Sequence, residues 1–330
     1  MPLVRSAASA VFESLRDAVR VSRELYTIMV PVIILVKILQ ELDLIRYLAW
    51  PLKPLMTLVG LPAEMGLAWA AALLNSVYSG LIIFLQLAQS SGEPLTVAQV
   101  TTLGTMMLIA HALPIEGGVA RKCGARFFAQ ATIRVGTALV FGLIFHAITS
   151  ATDTLGEAAA IPLPFDNPAA RADLTAWAFG EVRKLLWIST VIFAMLLAMK
   201  LLRRLGILQA VSRALEPMMR LIGIGPKAAT ITMIGMTLGM SYGSGLIVQD
   251  VRKGELGPED VFCALSFMGV CHSLVEDTLL ILLIGGHLSG VLWLRLALSL
   301  LLIATMVRLV RRLPLRLKTR FLWVERPSEA

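Results

Sequence analysis

Charge is scarce in this sequence. Only 16% of its 330 residues are Asp, Glu, Lys or Arg, against 57% hydrophobic types, whereas a soluble domain carries about 25% charged residues. That shortage excludes an ordinary soluble domain, whose single core could not bury so much apolar surface. Disorder is excluded for the same reason. Cysteine is rare too. Cys123, Cys263 and Cys271 make no CxxC pair, so no disulfide framework is implied. A nucleophile elbow, a phosphate loop and an HExxH run are all missing, and the expectation is a protein that is not an enzyme. Residues 1–25 carry too many charges for the apolar stretch of a secretory signal.

What is present is long apolar segments with a basic excess. The expected fold class is an all-α polytopic membrane protein. The net charge of +8 is read as basic loops on the cytoplasmic side of an inner membrane, with the bilayer as partner and no nucleic acid. Residues 1–23 place Phe12, Leu15, Val19 and Ser22 at helical spacing, with Arg16, Arg20 and Arg23 between them. That pattern predicts an amphipathic helix lying on the inner leaflet.

The chain repeats itself after about half its length. At a shift of 163, Pro54, Met56, Leu58 and Gly60 fall on Pro217, Met219, Leu221 and Gly223. At 165, Ser79-Gly80 falls on Ser244-Gly245; at 161, His111 falls on His272 and Glu116 on Asp277. The predicted units are 1–23, a first repeat over 24–151, a connector over 152–183, a second repeat over 184–310 and a basic tail over 311–330. Each repeat reads as a helix, an interfacial helix, an interrupted segment (62–90 and 225–249), a broken helix (97–120 and 258–285) and a further helix.

Charge discriminates between spans and hairpins. With 62–90 and 225–249 as re-entrant hairpins and the N-terminus inside, 23 basic residues lie inside and seven outside. Arg134 is counted inside and Arg295 outside. With both segments spanning, the split is 16 to 14, against the positive-inside rule. Arms of roughly 12 residues reach about 18 Å, just past the middle of a bilayer core. Three crossings per half make the two repeats inverted, the architecture of secondary transporters.

Two constellations could carry function. His111 and His272 sit near mid-helix, each with an acid five residues on, Glu116 and Asp277, and Glu276 beside the latter. Ionisable groups at that depth are costly and mark functional sites; they would bind a substrate or couple a proton or a sodium ion. The alternative is a histidine satisfied by a backbone carbonyl that locks the break. The hairpin tips offer Asn75, Ser76, Tyr78 and Ser79, and Ser241, Tyr242 and Ser244. Half-helix ends expose free N–H and C=O groups beside them, although small residues there also serve close packing. Cys271 adjoins His272 and supplies a candidate metal pair.

The stretches Pro54–Leu61 and Pro217–Ile224, both Pro-x-Met-x-Leu-[VI]-Gly-[LI], resemble the start of a Gate, or nucleoside recognition, domain. So do the small-polar breaks at 75–80 and 239–245. The chain resembles two fused Gate domains, similar to the paired spore maturation proteins A and B. It is more distantly like concentrative nucleoside transporters and ferrous iron permeases of the Feo type. The resemblance implies solute binding at hairpin tips and broken helices, and a homo-oligomer. The tips lack the acid that nucleoside carriers place there. Three readings follow: a secondary transporter or permease of a small polar solute with a midplane site, a divalent metal permease, and a non-transporting membrane scaffold.

Overall fold

The computed structural model describes residues 2–42, 44–90, 94–161, 173–238, 245–250, 253 and 256–324. These are helical, with no strand beyond two isolated bridges. The helices are α1 (Pro2–Glu41), α2 (Ile45–Ala49), α3 (Lys53–Leu58), α4 (Met65–Leu74), α5 (Val77–Ser90), α6 (Val97–Ile109), α7 (Leu113–Lys122) and α8 (Phe127–Thr152). They continue with α9 (Leu174–Arg204), α10 (Ile207–Ile222), α11 (Pro226–Leu238), α12 (Pro258–Val270), α13 (Leu274–Leu283), α14 (Arg295–Arg312) and α15 (Leu315–Phe321). Among the described residues, five helical segments are long and apolar enough to cross a membrane: Val97–Lys122, Phe127–Thr152, Leu174–Arg204, Pro258–Leu283 and Ser289–Arg312. Outward side chains such as Leu186 and Leu301 are large, apolar and more than 60% exposed, as a lipid-facing surface requires.

Local sequence sets the boundaries. Thr96 and Gln99 form a reciprocal capping box that starts α6. The Asp173 carboxylate accepts from the Thr175 and Ala176 amides and starts α9. The amphipathic and apolar stretches expected on either side of residue 24 lie on one continuous helix, α1, with Pro31 inside it.

α4 and α5 fold back on each other as a hairpin. α4 ends at Asn75 (φ −128°, ψ −71°), and the Ser76 hydroxyl accepts from the Ser79 amide at 3.3 Å, the bond of a serine N-cap. Gly80 lets the arms meet, since a Cβ there would sit 2.7 Å from Ala72 Cβ and 2.8 Å from the Ala68 carbonyl oxygen. The arms are too short to span, at 10 and 14 residues. The expected second tip, with Ser241, Tyr242 and Ser244, lies outside the described residues.

The two broken helices match residue for residue. At a shift of 161, α6 falls on α12 and α7 on α13, with identical bounds. Each break is a non-glycine residue in the left-handed region, Ala112 (φ 46°) and Ser273 (φ 47°), and these too are related by that shift. The packing is reciprocal. The core of the first half takes in Leu280, Ile281 and Ile284, at the end of α13. The core of the second half takes in Ala120, Cys123 and Ala125, at the end of α7. Gly104 of α6 makes room for Ile281, whose Cγ2 would lie 2.6 Å from a Cβ added there.

Candidate functional site

The breaks in α6–α7 and α12–α13 bring His111 and His272 together. Their ring centroids are 5.0 Å apart, tilted by 50°. Both rings are held by their own helices. His111 Nδ1 lies 3.0 Å from the Met107 carbonyl oxygen and 3.1 Å from that of Leu108. His272 Nδ1 lies 2.8 Å from the Met268 carbonyl oxygen. A carbonyl only accepts, so each Nδ1 is the donor and carries a proton. Each ring therefore has the backbone-carbonyl partner of a break-locking histidine, and its Nε2 takes no part in that bond.

The opposite nitrogens converge on one carboxylate. Glu116 Oε1 is 3.4 Å from His111 Nε2 and 3.5 Å from His272 Nε2. Glu116 reaches this point from the first turn of α7, where the left-handed Ala112 redirects the chain. The Ala112 amide donates to the Ala72 carbonyl at 2.9 Å, which docks the break against the first hairpin. Among the described residues, His111, Glu116 and His272 form the group whose ligand atoms could hold a metal ion, all within 4.8 Å of one another. Cys271 is buried and is not part of that group.

Two arginines complete the site, and neither is the loop charge expected from sequence. Arg134 and Arg295 are 2% and 0% exposed, on α8 and at the start of α14. Both side chains are buried inside the protein rather than exposed in loops. Arg134 donates to Glu116 Oε2 and, through Nε, to the Ile109 carbonyl at 2.9 Å. Arg295 donates to Asp277 Oδ2 at 3.3 Å, to the His272 carbonyl at 3.1 Å and to the Val270 carbonyl at 3.3 Å. Ile109 and Val270 end α6 and α12, so each guanidinium sits on the carbonyl end of a half-helix, where positive charge is favoured. The pair obeys the same 161-residue shift as the histidines. That coincidence was available in the sequence.

The two halves are not equivalent at the centre. Glu116 bridges both histidines, while its counterpart Asp277 turns to Arg295. Glu276 is part-buried on α13, and Tyr78 of the first hairpin lies within the electrostatic reach of both Glu276 and Asp277. The rest of the first tip is satisfied internally. Asn75 Nδ2 donates to Ser79 Oγ at 2.6 Å, and the Ser76 and Ser79 hydroxyls are 3.2 Å apart. Glu116 and Asp277 are each paired with one arginine, Arg134 and Arg295.

The chain is 28% identical over 278 residues to the uncharacterized membrane protein YvoD of Bacillus subtilis (strain 168), covering 82% of this chain and 86% of YvoD. No solved structure matches it. Residues 185–288, which hold the second broken helix and its histidine, match the Gate family, described as nucleoside recognition. The chain is thus an all-α polytopic membrane protein whose residues 185–288 are similar to the Gate family.

Proposed function

We propose that the protein is a secondary transporter or permease of a small polar solute or ion, working by movement of the hairpin regions about the His111–Glu116–His272 centre. The observation that carries this reading is the meeting of two broken helices, related by one sequence shift, at a buried ionisable cluster. Broken half-helices facing each other at mid-depth are the parts from which secondary transporters build their sites. Ionisable groups so placed need a working reason to offset their cost.

In this reading both termini face the cytoplasm across the inner membrane, as the basic asymmetry favours. Contacts between chain segments support the sidedness. Asp17 pairs with Lys200, Lys318 with Glu259, and Ala125 bridges Trp323; all six residues fall inside in the hairpin topology. Thr96 bridges Ala158, and Gln86 bonds Glu181; all four fall outside. His111, Glu116 and His272 hold the solute or a coupling proton or sodium ion. Tyr78 of the first tip closes over it. A homo-oligomer in the bilayer is part of the proposal.

Flux into proteoliposomes tests the reading, with substrates chosen by a thermal-shift screen of nucleosides, amino acids, dipeptides and divalent metals. His111→Ala and His272→Ala should each abolish uptake. Unchanged uptake in both variants would remove the site from the mechanism.

A further inference from the structure

We infer that His111 Nε2, His272 Nε2 and Glu116 Oε1 form a binding site for a borderline divalent transition-metal ion such as Zn²⁺, Fe²⁺ or Co²⁺. This names a ligand for the same centre and shares its residues with the transport reading.

Both Nδ1 atoms donate to backbone carbonyls, which leaves both Nε2 atoms as lone-pair acceptors in the neutral rings. A carboxylate oxygen is also an acceptor. Three acceptors therefore point at one another with no donor among them. The separations of 3.4 and 3.5 Å are longer than the about 2.7–3.2 Å of an N–H···O hydrogen bond. They match what one shared ion requires: two ligand atoms about 2.1 Å from a metal, at a tetrahedral angle, are about 3.4 Å apart.

The surroundings are those of a metal site. A ligating histidine characteristically donates its other N–H to a carbonyl, which fixes ring and tautomer, and both rings do so here. The ligating carboxylate is in turn held by a hydrogen bond, here from Arg134 to Oε2. Two imidazoles and one carboxylate suit borderline ions, whereas Mg²⁺ and Ca²⁺ take oxygen sets. Three protein ligands leave a fourth position open for water or an exchanging ligand. Cys271, next in sequence to His272, has no place in this set.

The test uses the full-length protein in nanodiscs, stripped with a chelator and then titrated with Co²⁺. The expected result is one Co²⁺ per chain, with the visible absorption of a nitrogen–oxygen site and no thiolate charge-transfer band. His111→Ala and His272→Ala should each lower affinity on the order of 100-fold or more, and Cys271→Ser should leave it unchanged. Failure of the wild-type protein to retain Co²⁺ or Zn²⁺ overturns the inference. So does a thiolate band that disappears in Cys271→Ser, or undiminished affinity in both histidine variants. Should a histidine variant fold poorly on size exclusion, the wild-type spectrum and stoichiometry still decide. A protein that retains no Co²⁺ or Zn²⁺ yet takes up solute in a His111-dependent way would refute this inference and leave the transport reading intact.

Discussion

Replacing Arg134 with methionine isolates the guanidinium's role. The side chain is 2% exposed, and methionine fills similar volume without charge. The substitution leaves two orphans: the Glu116 carboxylate loses its donor at Oε2, and the Ile109 carbonyl at the end of α6 loses the Nε–H bond of 2.9 Å. Breaking a buried pair by removing one partner costs about 3–5 kcal/mol, and an unsatisfied buried carbonyl accounts for about 1–3 kcal/mol of such losses. For a chain of this size a deficit of that order lowers the unfolding midpoint by on the order of 10 °C. The double variant Arg134→Met/Glu116→Gln removes the uncompensated charge and leaves mainly the orphaned carbonyl, so it should recover half or more of the loss. Thermal unfolding of the purified proteins, followed by tryptophan fluorescence, reads all three. Arg134→Met unfolding alongside the wild type, or a double variant no more stable than the single, would refute the pairing. Arg295→Met should behave the same way, because it occupies the shifted position against Asp277 and the Val270 carbonyl.

Gly80→Val should splay the first hairpin, since its Cβ would lie 2.6 Å from Met107 Sδ as well as against α4. A loss of about 1–3 kcal/mol, read by thermal unfolding and accompanied by lost flux, is expected. The Asp173 carboxyl is held below its ordinary value of 3.8 by the Thr175 hydroxyl and by the Thr175 and Ala176 amides. Its contribution to the first turn of α9 is complete above that value and is lost as pH falls through the lowered one. Protection of the Thr175 and Ala176 amides, measured against their intrinsic exchange rates, should therefore fall in acid in the wild type, whereas in Asp173→Ala it is already low at neutral pH. Thr152→Cys, at the exposed end of α8, should react with an impermeant thiol reagent from outside the cell. The three native cysteines are all buried and give little background; protection of the introduced thiol until the membrane is broken would invert the topology.

Much of the architecture could be read from residues alone. The interruptions at 75–80 and 111–118 appear as a hairpin and a helix break because polar and small residues cluster there, in runs otherwise apolar. The histidine pair was legible because His is rare and the shift that relates the two is unambiguous. The arginines were not recognised as part of the centre. One Arg in a Leu-rich helix is indistinguishable, by charge counting, from a loop residue at its end. Only packing shows that Arg134 and Arg295 point inward. The boundary near residue 24 was drawn from composition, and the backbone hydrogen bonds of a helix run through such a change without interruption. That Asn75, Ser76 and Ser79 bond one another also depends on side-chain directions that sequence spacing does not give.

The reciprocal packing of α7 and α13 determines how the chain tolerates damage. Duplication ordinarily supplies a spare, yet here each copy lends its half-helix to the core of the other. The centre draws His111 and Glu116 from one copy and His272 from the other. The two halves should therefore behave as an obligate heterodimer written on one polypeptide. Cut within 162–172, they should complement each other only when expressed together, and a lesion in either half has no backup.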